Sequence, residues 1–195
     1  MSAAIEQYVP QVAPARVGAR VWLLWGACVA AALAWLGLIV GAPLMRARGH
    51  EVVALFAYRV FAILCHQIPE RSFYLDGQPV AVCARCFGIY AGFALGVVCY
   101  PLVRSLRRTD TPARLWLLLA ALPTGVDFAL GFTGLWANTH TSRALTGALL
   151  GAVAALYVVP GLVALGLFIG RRAQARAKIL KTSFDKPFNK GGKMA

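Results

Sequence analysis

Four long apolar runs, one of them broken by a single aspartate, constrain this chain more than any other feature. Residues 21–45 form the first, 25 residues without a charge. As helix they rise about 37 Å, enough to cross a hydrocarbon core of about 30 Å with some tilt. Residues 87–103, 115–137 and 146–170 repeat the pattern, and Asp127 is the one charge among them. With 59% hydrophobic and 14% charged residues, the composition excludes a soluble globule. The predicted fold is an all-α membrane protein, with a single transmembrane domain over 21–170 between a tail at 1–20 and a basic tail at 171–195.

Residues 52–64 are also apolar but number only 13, with Arg59 near the middle. A helix of that length covers about 20 Å, too little to span. A re-entrant or interfacial helix is expected here, with a fifth crossing as the alternative. Glycines recur every four residues at Gly88, Gly92 and Gly96, and again at Gly147 and Gly151, a pattern that lets membrane helices approach closely.

The formal charge is +13. With both termini cytoplasmic, the inside segments 1–20, 104–114 and 171–195 hold 14 of the 20 Lys and Arg residues. A five-span topology keeps the last two of these inside. Both place residues 65–86 on the outer face, and both aim the basic tail at an anionic inner leaflet. Nucleic acid is not an expected partner, because the basic residues are not interleaved with exposed aromatics.

Between the first spans lies C-H-Q-I-P-E-R-S-F-Y-L-D-G-Q-P-V-A-V-C-A-R-C, residues 65–86. Asp76-Gly77 suits a two-residue hairpin turn that pairs Leu75 with Gln78 and sets Glu70 opposite Cys83. Pro79 lacks a ladder donor, so an irregular loop is the alternative. A closed hairpin brings Cys65, His66, Cys83 and Cys86 together, three sulfurs and an imidazole that suit tetrahedral zinc. The competing reading is a Cys83/Cys86 dithiol, activated by Arg85 and a helix amino end. Cys28 and Cys99 lie within apolar runs and are expected to be inert. Asp127, about 18 Å along its helix from Leu115, approaches the same end of the membrane. An acid at that depth is a functional candidate, or else half of an ion pair with Arg59 or Arg143. Asn138, His140 and Arg143 fall on the turn between the last two spans, at the same level.

These stretches resemble a prokaryotic integral-membrane family known as domain of unknown function 2085. The resemblance rests on C-H-Q-I-P-E-R-S-F at 65–73 and C-A-R-C-F-G-I-Y-A-G at 83–92. It extends more loosely to P-x-x-x-D at 123–127, with Phe128 where the family pattern has glycine, and N-T-x-x-x-R-x-x-T-G at 138–147. It implies a multi-pass protein of the plasma (inner) membrane of a prokaryote and no established activity.

The first functional expectation is an outer-face enzyme or carrier. Its zinc is held by Cys65, His66, Cys83 and Cys86, beside a pocket of Glu70, Arg71 and Asp127 for chemistry and Arg143, Asn138 and His140 for an anionic lipid or isoprenoid head group. The second is a quinone-linked thiol oxidoreductase using Cys83 and Cys86. The third is a non-catalytic scaffold tied by a structural zinc knuckle or disulfide.

Overall fold

A computed structural model describes residues 18–106, 108 and 110–184. Residues 1–17 of the expected tail at 1–20, and residues 185–195 of the expected basic tail at 171–195, lie outside the described residues. Helix α1 spans Ala19–Ala47, α2 Glu51–Ala62, α3 Ala84–Val103, α4 Arg114–Phe132 and α5 His140–Phe184. Four of these, all but α2, are long and apolar enough to cross a membrane. The protein is therefore an all-α membrane bundle of four candidate spans.

The 12 residues of α2 rise only about 18 Å, which explains why it is not among them. It folds back along α1: Phe61 near its end packs edge-on against Trp35, with ring centroids 5.0 Å apart, and joins Ile39 in the core. Its other side carries Val52, Val53, Leu55 and Phe56, each more than half exposed. Four adjacent bulky apolar groups would face water at a cost of several kcal/mol, so this face belongs to lipid or its interface.

The predicted hairpin forms with the predicted register. β1, Tyr74–Leu75, pairs antiparallel with β2, Gln78–Pro79, through Leu75↔Gln78 and Tyr74↔Pro79. Asp76 and Gly77 both take positive φ, 48° and 72°, as a type I′ turn demands. Pro79 does not break the ladder because it occupies the pair that exchanges no hydrogen bonds; bonding resumes one residue on, where Val80 N–H donates to Phe73 C=O at 2.8 Å. Tyr58 of α2 donates its hydroxyl to the Pro79 carbonyl and clamps the hairpin to the bundle.

Helices α3 and α5 form the spine. Gly88 and Gly92 lie so close to the Ala144 and Ala148 backbone that a Cβ at either would collide with a carbonyl, and Gly147 and Gly151 meet Arg85 and Ile89 from the other side. The glycine pattern thus buries backbone against backbone, with α1 packed on one flank and α4 on the other. One apolar core gathers at the Cys65 end, around Ile39, Phe61 and Val80 to Val82. A second lies at the opposite end, around Val21, Val97, Tyr100 and Val159.

Two span boundaries differ from expectation by five residues or more. The fourth span begins at His140 rather than at residue 146, because the Thr139 hydroxyl accepts a hydrogen bond from Ser142 N–H at 3.0 Å and starts the helix earlier. His140 and Arg143 therefore lie on the first turn of α5, not on a connecting turn. The third span stops at Phe132, where Thr133 and Gly134, at φ 73°, end the helix before residue 137.

Candidate metal centre and its cleft

Three segments deliver three sulfurs to one point. Cys65 follows α2, Cys83 is the residue before α3, and Cys86 lies in the first turn of α3. Cys83 and Cys86 are three apart across a helix start, so their side chains share a face. The Sγ atoms of Cys65, Cys83 and Cys86 all lie within 4.8 Å of one another. Tetrahedral zinc with Zn–S bonds of about 2.3 Å needs sulfurs about 3.8 Å apart, which lies within that limit.

Backbone and side-chain bonds fix this convergence. Cys83 N–H donates to Cys65 Sγ at 3.2 Å, and Gln67 N–H approaches the same sulfur at 3.5 Å. The thiols of Cys83 and Cys86 also donate to Cys65, and against the effect of burial these bonds hold its thiol far below the ordinary cysteine range. Gln67, at φ 51°, reverses the chain after α2. Its side-chain amide donates to Tyr58 C=O at 2.8 Å and Ala81 C=O at 2.7 Å, stapling the end of α2 to the strand that leads into α3.

His66 does not join the sulfurs. Among the described residues the group of mutually close ligand atoms contains the three cysteines alone. The reversal at Gln67 sends Cys65 inward and leaves His66 exposed on the rim of the adjoining cleft. Glu70 does not face Cys83 either: the chain curls into a 3-10 turn over Pro69–Arg71 before pairing begins at Phe73. Glu70 is bound through its main chain, its carbonyl lying 3.1 Å from His140 Nε2. His140 also packs against Phe73, at 5.7 Å between centroids, and so acts as a tie between loop and α5.

Asp127 finds its partner in Arg85, which lies between Cys83 and Cys86 in sequence, and not in Arg59 or Arg143. Arg59 is exposed on α2, whereas Arg85 points from the start of α3 toward α4. Arg85 lies over the Phe128 ring, 5.5 Å from its centroid, while Ser142 Oγ donates to Asp127 Oδ1 at 3.0 Å. Asn138 donates to the Asp127 main-chain carbonyl near the end of α4. Thr124 Oγ1 donates to Thr146 C=O at 2.9 Å and holds α4 against α5 beneath the site. Residue types alone identified Asp127 but not Arg85, Ser142 or Phe128 as its neighbours.

A cleft of about 240 Å³ opens on the sulfurs, lined by Cys65, His66, Cys83, Cys86, Asn138 and the arginines Arg71, Arg85 and Arg143, with Phe128 and Phe132 on its apolar wall. Of the three guanidinium groups, only that of Arg85 has a carboxylate within ion-pair distance among the described residues. Arg85 Nε and Asn138 Oδ1 are buried without hydrogen-bond partners. The cleft is therefore cationic and contains an unused donor beside the thiols.

A family model described as a predicted membrane protein, DUF2085, matches residues 65–157. The match takes in all three sulfurs, Arg85, Asp127 and Arg143. An uncharacterized protein of Methanocaldococcus jannaschii is 36% identical over 110 residues, covering 56% of this chain and 70% of the relative. An uncharacterized protein of Methanothermobacter thermautotrophicus is 36% identical over 85 residues, covering 44% and 72%. No solved structure matches. The segment that builds the site is thus also the segment that carries the likeness, and the chain belongs to the predicted membrane protein family DUF2085.

Proposed function

We propose that this protein is a membrane metalloprotein in which Cys65, Cys83 and Cys86 hold zinc and the adjoining cleft receives the anionic head group of a lipid. The observation that carries this reading is the placement of three converging sulfurs on a cleft with three guanidinium groups, two of them without a carboxylate partner among the described residues. With three protein ligands, a bound zinc would have room for a further ligand from the cleft, as catalytic zinc does. Zinc in such a position polarises a bound oxygen. Arg71 and Arg143 would grip the anion, with Arg85 Nε as a further donor, because planar guanidinium forks match phosphate and carboxylate oxygens. Asp127 holds Arg85 in place, and Asn138 and His140 fix the ends of α4 and the loop.

The Cys end is assigned to the extracytoplasmic face of a prokaryotic inner membrane. Support comes from the concentration of Lys and Arg on the segments at the other end and from the archaeal relatives. In this orientation the basic continuation of α5 lies on the cytoplasmic side, near anionic lipid. A reporter fused after Gly77 should behave as extracytoplasmic; a cytoplasmic result reverses the assignment.

The principal test is zinc stoichiometry followed by ligand binding. Purified protein should contain about one zinc per chain, and less than roughly a tenth would remove the metal, since complete sites hold it tightly. Loaded protein should then bind dodecyl phosphate at least tenfold more tightly than dodecanol, with Arg71→Ala and Arg143→Ala each losing about tenfold, the value of one charged hydrogen bond. Full zinc with no preference for the phosphate would leave a structural knuckle. No zinc, with two thiols alkylated only after reduction, would favour the thiol oxidoreductase.

A further inference from the structure

A second cavity, about 680 Å³, lies wholly among spanning helices. Leu24, Cys28, Ala31 and Trp35 of α1 form one wall, and α3 and α5 form the other. From Leu24 to Trp35 is eleven residues, about 16 Å of helix, close to the depth of one leaflet of a core of about 30 Å. The cavity has the length and the apolar lining to suit a single hydrocarbon chain. Its size also falls within the range of small-molecule sites, about 300 to 1,000 Å³.

The Trp35 end of the groove is not purely apolar. The indole Nε1–H of Trp35 is buried without an acceptor, and the ring packs against Tyr90 at 5.9 Å between centroids. The Trp25 indole, by contrast, donates to Val97 C=O at 2.8 Å, so the unmet donor is particular to the end nearer the cysteines. Tyr90, Phe93 and Val97 of the groove continue a stripe at helical spacing that begins with Cys86. Tyr90 packs in the same core as Cys65, Cys83 and Cys86. The groove therefore starts one helical turn from the metal centre and runs away from it.

We infer that this groove binds one hydrocarbon chain of an anionic membrane lipid, with an oxygen of the lipid's linkage region accepting from Trp35. The groove stands on its own geometry, but the placement of that lipid's head group at the thiol centre rests on the function proposed above. A lipid held in this way is drawn out of the bilayer and fixed by its tail while its head group meets the arginines, so the bundle selects amphiphiles over free anions.

The test uses full-length protein in phosphatidylglycerol vesicles containing a phosphatidylglycerol whose palmitoyl chain bears a diazirine. After photolysis, peptide mass spectrometry should find adducts at Ala31, Phe93 and Ala154 several-fold above those at Leu33 and Leu38, which are exposed by 51% and 53% on the outside of α1. Ala154→Phe should cut the groove adducts at least fivefold and leave zinc content unchanged. Ala31→Leu, a milder filling, serves if the first variant does not fold. Trp35→Phe should reduce retention of the lipid through purification several-fold while preserving the ring contact. Groove labelling no higher than at Leu33, or labelling indifferent to both filling variants, overturns the inference. So does labelling that appears only after residues 1–17 are removed. Persistence of groove labelling in protein without zinc, or with Arg71 and Arg143 replaced, upholds the chain site while refuting the head-group reading.

Discussion

Replacing Asp127 by Asn isolates one charge. Asparagine can keep an oxygen toward Arg85 and offer its amide to Ser142 Oγ, which now lies 3.0 Å from Asp127 Oδ1, so the shape and the hydrogen-bond count survive. What remains is the Arg85 cation, in a side chain 20% exposed, opposite a site that was 9% exposed when it carried the compensating carboxylate. Removing one member of a buried pair costs about 3 to 5 kcal/mol. Partial access to the cleft and the Phe128 ring beneath the guanidinium place this case near the lower end, at about 3 kcal/mol. That is about a 150-fold change in the unfolding equilibrium. Sodium dodecyl sulfate titration in mixed micelles, read by near-ultraviolet circular dichroism, should register it. Arg85→Gln combined with Asp127→Asn should recover about 2 kcal/mol relative to the sum of the single changes, because the double variant leaves no unpaired charge. A single-variant loss below about 1 kcal/mol, or additive losses, would show that Asp127 is not there to balance Arg85.

Gly92→Val should force α3 from Ala148 and lower stability by at least about 2 kcal/mol in the same titration, whereas Gly37→Val, with nothing within 4 Å of its Cβ position, should be neutral. Equal effects would mean that the α3–α5 contact is not close. Gly77→Ala, at φ 72°, should cost about 1 kcal/mol, and an unchanged midpoint would argue against the type I′ turn. Gln67→Met removes both bonds of the side-chain staple at similar length and should weaken zinc binding about tenfold, as measured by competition with a chromogenic chelator; unchanged affinity would detach the staple from the metal centre.

The spans, the short α2 and the hairpin register were legible because each follows from local rules: run length against bilayer thickness, and an Asp-Gly pair that fixes its flanking partners. Even Pro79, which suggested an irregular loop, fits once the register assigns it a pair without hydrogen bonds. The Arg85–Asp127 pair was not legible in this way. The two residues are 42 apart in sequence, and their meeting depends on α4 being rotated so that Asp127 faces the start of α3. Depth, which the sequence does supply, put Asp127 at the right level but offered Arg59 and Arg143 as partners and passed over Arg85. His66 was misjudged for the opposite reason: it is adjacent to Cys65, but a left-handed residue at Gln67 decides which of the two neighbours turns inward.

The spacing of the sulfurs also fixes how many protons the site must release to take up a metal. Three sulfurs within 4.8 Å cannot all be thiolates unaided. At an effective dielectric constant of about 20, a second charge at that distance costs about 3.5 kcal/mol, or about 2.5 pK units. The Cys65 sulfur accepts from Cys83 N–H and Gln67 N–H, and hydrogen bonding with Cys83 and Cys86 lowers its thiol from the ordinary cysteine range. Repulsion on this scale allows at most one thiolate among the three in metal-free protein at neutral pH. A divalent cation removes the repulsion, and its binding should displace about two protons per chain. Zinc added to metal-free protein at pH 7 in weak buffer, followed with a pH indicator, measures this number directly. Release of three protons would show that Cys65 is neutral beforehand and that the hydrogen bonds to its sulfur do not set its ionisation; release of one or none would show that the cation is not held by three thiolates.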